Sequence, residues 1–203
     1  MSEFIEVLGD EDENGKGYYA EVAHFDDDLE KPLNHFEYQR EGFNAATGEP
    51  GTITITEIVL PARECDLDLS AAVDIVIPDK IDSLPEWNDD GFVTAPVTAI
   101  GAYATDVESP SENAIRSAEL PKTLKSVGRA AFTVRCSDMK GIEIPESVDE
   151  IGEYAFGYIR DWQNRDAESY KKIDGFVISC YPGTAGEKYA KDNGFEIRLI
   201  TDN

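Results

Sequence analysis

No apolar run in the 203-residue chain approaches the roughly 20 residues that a membrane-crossing helix needs, so membrane insertion is not expected. Positive charge is scarce: 18 Lys and Arg stand against 42 Asp and Glu, a formal net charge of -24 at pH 7. A field of that sign repels phosphate backbones and anionic lipid surfaces, which disfavours nucleic acid and membrane partners. It leaves a solubility role, cation attraction, or a partner with a basic patch. Cysteines number three, Cys65, Cys136 and Cys180. Their wide, unequal spacing fits neither a Cys-x-x-Cys metal knuckle nor a complete disulfide framework and predicts buried free thiols. The two histidines, His24 and His35, come with no Gly-x-Ser-x-Gly, His-Glu-x-x-His, phosphate-loop or dinucleotide pattern, so no enzymatic activity and no catalytic residue are expected. The chain also lacks an Asn-x-Ser/Thr sequon, and its opening, MSEFIEVLGD, has no basic segment, apolar segment or small-residue cleavage site of a secretory signal.

What the sequence does have is internal self-similarity. Residues 115–132 read IRSAELPKTLKSVGRAAF and residues 139–156 read MKGIEIPESVDEIGEYAF, aligned without a gap at an offset of 24. Pro121 matches Pro145, Gly128 matches Gly152 and Phe132 matches Phe156. Apolar character persists at Ala118/Ile142, Leu120/Ile144, Leu124/Val148, Val127/Ile151 and Ala131/Ala155, while the positions between vary and are mostly polar. One buried face per unit follows. Ile142 and Ile144 alternate like a strand, and Pro145, lacking an N–H, marks where the strand leaves its ladder. The glycine is expected at a position tolerant of positive φ, and the Ala-Phe pair closes the unit. A single unit cannot bury such a face, so the pattern predicts stacked coils in a short solenoid.

A more degenerate third unit lies upstream, with VDIVIPDKI at residues 73–81 and VTAIGAYA at residues 97–104. Eighteen residues, 79–96, separate its parts where the later units have two, and this insertion is expected to project as a loop. Thr105 stands in place of the closing phenylalanine and predicts a less tightly filled coil. Downstream, GFVISC at residues 175–180 reads as a last strand. Thr184 and Glu187 have capping-box spacing and Gly194 suits a C-terminal cap, so a helix is predicted from about Ala185 to Asn193, followed by a strand over residues 195–200. Before residue 62 the alternation predicts two hairpins, residues 4–8 with 18–25, and FEYQREGF with residues 52–60, joined by a solvated connector at residues 26–34.

The units ELPKTLKSVGRAAF and EIPESVDEIGEYAF resemble the BspA-like leucine-rich repeats of bacterial surface proteins, and GFVISCYPGTAGEKYAKDNGFEI resembles the strand and helix that end many such arrays. The resemblance covers about residues 73–200, with Cys136 where that family often has a cysteine. It implies a mainly β, leucine-rich-repeat solenoid of about three coils with a short C-terminal capping helix (residues 63–203), before which the two hairpins read from alternation are expected to form a β-rich N-terminal cap or small subdomain (residues 1–62). It also implies a non-catalytic protein- or glycan-binding module, adhesin-like and cell-surface or secreted. The absence of a signal pattern keeps a cytoplasmic location open.

Two sets of residues are candidates for binding. DEDENGKGYYAE, residues 10–21, satisfies the D-x-D-x-N-G-x5-E spacing of a calcium loop, with Asp10, Asp12, Asn14 and Glu21 as oxygen ligands. A plain acidic hairpin loop is the competing account, because Gly17 stands where an apolar residue is usual and strands flank the motif. A calcium-dependent structural or scaffolding module is accordingly the alternative function, and no other cofactor is expected. Aromatic residues outside the repeat pattern form the second set: Trp87 and Phe92 in the insertion, and Tyr158, Trp162 and Tyr170 downstream. Exposed, they would anchor a protein or glycan ligand; buried, they pack loops onto the solenoid.

Overall fold

Alternating apolar side chains upstream produce four antiparallel strands: β1 (Phe4–Glu11), β2 (Lys16–His24), β3 (Glu30–Glu41) and β4 (Thr52–Ile58). These and the elements below belong to a computed structural model that describes residues 4–11, 14–24, 30–44, 47–58, 73–85, 93–105, 115–133, 139–160 and 169–201. Among the described residues the chain is mainly β with one helix. Both expected hairpins form, and β2 also pairs with β3, so the four strands make one continuous meander. Residues 30–34, expected in a connector, lie within β3. Phe36, Tyr38, Ile53 and Ile55 are fully buried on its inner side. Tyr38 lies across Gly17, where a Cβ would stand 2.1 Å from the ring.

The next strands are β5 (Val73–Val76), β6 (Lys80–Pro85) and β7 (Val93–Ile100). β6 and β7 pair antiparallel, from Lys80 opposite Pro96 to Ser83 opposite Val93. β7 then runs parallel to β4, and β6 runs parallel to β1 through Asp10–Leu84 and Glu11–Pro85. The order β1-β2-β3-β4-β7-β6 therefore returns to β1, a ring of six strands. The insertion expected to project is a correction: both of its ends are ladder strands, and residues 86–92 lie outside the described residues. Strand pairing consequently crosses the expected boundary at residue 62. A closed ring also removes the unpaired edges that an open meander would present.

The repeated units follow as β8 (Ile115–Glu119), β9 (Ser126–Val127), β10 (Gly141–Ile144) and β11 (Glu150–Ile151). Two parallel series run through them. In one, Ala99, Ser126 and Glu150 stand in register, as do Ile100, Val127 and Ile151. In the other, β5 pairs with β8, and β10 pairs with a later strand, β14. Between the series each unit turns at its proline: the Leu124 amide donates to the Pro121 carbonyl at 3.1 Å and the Val148 amide to the Pro145 carbonyl at 3.2 Å. Leu124, Val127, Ile142, Ile144, Val148, Ala155 and Phe156 are all buried, as the repeat requires. Phe132 stacks on Phe156 with centroids 5.2 Å apart. Thr105 is buried too, and its hydroxyl donates to the Thr133 carbonyl at 3.4 Å.

The glycines act differently from the expectation. Gly128 and Gly152 do not have positive φ; a Cβ on them would stand 2.4 Å from the Ala102 nitrogen and 2.5 Å from the Arg129 nitrogen. They allow successive repeat units to touch backbone to backbone. The left-handed residues come two positions later and are not glycines: Tyr103, Ala130 and Tyr154, with φ of 60, 52 and 58.

β12 (Tyr158–Arg160) and β13 (Tyr170–Lys172) form a short antiparallel pair before β14 (Val177–Cys180). Helix α1 spans Ala185–Asn193 and β15 spans Glu196–Leu199, pairing parallel to β14. Gly194 is left-handed as predicted, with φ 63. The expected capping box does not form: Thr184 makes no side-chain cap bond, its hydroxyl donates back to the Tyr181 carbonyl, and Glu187 accepts from the Gly183 amide in place of Thr184. At the other end Lys172 Nζ donates to the carbonyls of Asn193 and Gly194, a cation at the negative end of the helix. Gly186 lets α1 approach β10 and β14: a Cβ there would stand 2.9 Å from that of Cys180 and 3.1 Å from that of Ile144.

Candidate functional site

The 24-residue offset makes β8 and β10 equivalent strands, yet they belong to separate ladders, β5-β8 and β10-β14-β15. Their Cα atoms approach within 8 Å without a shared register. The sheet face is therefore split by a seam, and two cavities open over it.

The larger, about 680 Å³, has Glu119, Leu120 and Lys122 on the β8 side and Glu143, Glu146 and Ser147 on the β10 side, with Pro145 and Tyr181 completing it. The Ser147 hydroxyl is buried and has no hydrogen-bond partner among the described residues. The smaller, about 410 Å³, is edged by Lys140 and Arg198 and floored by Gly141, Val177 and Ser179. Ala118 and Glu143 line both, so the two are neighbouring stretches of one groove. Glu119 and Glu146 mark one end, Lys140 and Arg198 the other, and Glu143 lies where the two meet. At the flank of the same face Arg116 forms an ion pair with Asp74, whose carboxylate also accepts from the Ser117 hydroxyl. The Arg116 hydrogen bonds, then that of Ser117, hold the Asp74 carboxyl at about 2.

None of the described residues nominated from sequence lines this groove. Trp87, Phe92, Trp162 and Asp12 lie outside the described residues. Tyr158, nominated as a binding aromatic, is 8% exposed and packs against its neighbours. Its hydroxyl donates to Asn193 Oδ1 at 2.8 Å, and its ring meets the edges of Tyr154 at 5.1 Å and Phe195 at 5.5 Å. Burial, then the neighbouring Tyr154, raises its phenol above the usual value. Tyr170 stacks on Tyr154 at 4.3 Å, and the Arg129 guanidinium lies over both rings. Of the calcium candidates, Asp10 is in β1 opposite Tyr18 and Glu21 is in β2 opposite Val7, three rungs apart on one ladder, about 10 Å of strand. Asn14 is in the hairpin turn, where its carbonyl accepts from Gln39 at 2.7 Å. Among the described residues no three His, Cys, Asp or Glu side chains are grouped to hold a metal ion. Cys180 is a buried free thiol, raised by burial and then by Glu187.

Glu119, Glu143, Lys140 and Arg198 were not apparent from sequence. The one available signal was that Glu119 and Glu143 occupy the same place, two residues before the unit's proline, in successive repeats.

Residues 109–181 match the family described as BspA type leucine rich repeat region (6 copies). No curated protein and no solved structure matched the chain.

Proposed function

We propose, from the BspA-type leucine-rich repeats in residues 109–181, that this chain is a non-catalytic binding module whose ligand is a protein or glycan, working at the cell surface or secreted in an adhesin-like role. The parallel ladders are read as about three coils of a solenoid, the six-stranded ring as its N-terminal cap, and α1 as its C-terminal cap. Registers such as Ser126–Glu150 and Ile142–Ile178 stack one coil directly on the next. That stacking sends alternate residues of every strand outward. The observation that carries the proposal is the outcome at β8 and β10: an open groove whose edges are charged side chains. Faces of this kind recognise by shape and charge, and they suit binding better than bond-making chemistry.

Protease shaving of intact source cells tests the location and hence the ligand class. Release of this protein's peptides supports the surface reading. Protection until lysis overturns the adhesin role and leaves an intracellular scaffold.

A further inference from the structure

We propose that the groove over the β8–β10 seam binds an extended peptide segment of a partner protein, one that places a basic side chain in the larger cavity and an acidic side chain in the smaller. The inference rests on the binding-module reading and specifies its ligand.

Charge is the first argument. Glu119, Glu143 and Glu146 converge on a cavity holding one lysine, and none of them makes an ion pair or side-chain hydrogen bond with another described residue. An uncompensated carboxylate cluster beside an apolar floor of Ala118, Leu120 and Pro145 suits Lys or Arg, whose methylene stem packs while its head pairs. Lys140 and Arg198 stand at the other end, likewise unpaired among the described residues, in a chain with only 18 cations. A wholly basic ligand would gain at the first end and lose at the second. A ligand with both charges gains at both.

Geometry fixes the spacing. The smaller cavity is lined by Ser117 and Gly141 and the larger by Leu120 and Pro145, three and four residues further along the chain, about 10–13 Å. In an extended peptide, side chains two or four residues apart share a face, and those three apart do not. The seam is too narrow to admit a strand, because full insertion needs two ladder spacings, about 9.5 Å, and the Cα atoms already approach within 8 Å. The segment therefore lies on the sheet face and is read through its side chains. The Ser147 hydroxyl, unpartnered among the described residues, offers a further hydrogen bond in the larger cavity.

The test is fluorescence anisotropy of the full chain with labelled synthetic nonapeptides: Lys and Asp four apart, Lys and Asp three apart, and all-Lys. The four-apart peptide is expected to bind best. Glu143→Gln and Arg198→Gln should each weaken it about tenfold, the worth of one charge-assisted hydrogen bond. Glu150→Gln, exposed on the other ladder series, should leave binding unchanged. The inference is overturned if no peptide binds, or if the all-Lys peptide binds tightest and Glu150→Gln weakens it as much as Glu143→Gln, since attraction to net charge would then suffice. Displacement of the peptide by a neutral oligosaccharide at this groove would overturn the peptide assignment. Binding of extracellular ligands that survives both groove substitutions would retire this site while the binding module stands.

Discussion

The Tyr189 hydroxyl closes two hydrogen bonds on a single residue, accepting from the Phe156 amide at 3.0 Å and donating to the Phe156 carbonyl at 2.8 Å. Through this clasp the C-terminal helix holds the phenylalanine that closes the last 24-residue unit. Tyr189→Phe leaves both buried backbone groups without that partner and should cost about 2–4 kcal/mol, lowering the thermal midpoint by roughly 5–10 °C. Burial raises the Tyr189 phenol well above its usual value, so its stabilisation is complete at neutral pH and declines as pH rises above the unfolded tyrosine value of about 10. Thermal melts of both proteins at pH 7 and above pH 10 check this, the variant showing the weaker alkaline loss.

Gly152→Ala places a methyl 2.5 Å from the Arg129 nitrogen and 2.7 Å from the Gly128 carbonyl carbon, both backbone atoms that cannot rotate away. Relief requires opening the 2.8 Å bond from the Gly152 amide to the Val127 carbonyl. A loss of about 2–3 kcal/mol is expected by urea unfolding. Gly175→Ala is the contrast: it meets nothing within 4 Å and carries only the strain of φ +70, about 1 kcal/mol.

Asp74 links β5 to β8 through Arg116 and Ser117. Its carboxyl is depressed to about 2, so the stability it contributes is present above the unfolded value near 3.9 and is lost as pH falls toward 2. The pair is half exposed, which limits the effect to about 0.5 kcal/mol. Asp74→Asn should match this loss at neutral pH, differ least from wild type near pH 2, and respond less to added salt in denaturant melts.

Cys180 is fully buried and its thiol is raised by burial and by Glu187, so little thiolate exists at neutral pH. Iodoacetamide followed by peptide mapping should leave Cys180 unmodified in the folded chain and label it in urea. Rapid labelling without denaturant would contradict the packing of α1 on β14.

The repeated units were legible because stacking demands the same apolar positions in each coil: Leu124 and Val148, Val127 and Ile151, Phe132 and Phe156 all face the core. The helix was legible from Gly194 and the spacing before it. The ring was not, because alternation identifies a strand and says nothing of its partner; β6 finds β1 across some 70 residues. The role of Gly128 and Gly152 was misread for a related reason, since close approach of two coils is a tertiary fact. Tyr158 packs against Asn193 and Phe195 beside α1, a contact that its place outside the repeat pattern does not announce. The groove was hidden because the repeat logic constrains only inward positions, so the glutamate shared by 119 and 143 read as a solvated face, and the split between β8 and β10 leaves no mark in the sequence.

The central claim is that the outer face of the stacked parallel strands is a binding surface. Its most direct measurement is solid-phase binding of the full chain to a panel of immobilised extracellular-matrix proteins and glycans, comparing wild type with Glu119→Lys/Glu143→Lys, two exposed changes that leave the core intact. The account predicts saturable binding by wild type, strongly reduced in the variant at an unchanged melting midpoint. Equal binding by both proteins would contradict it.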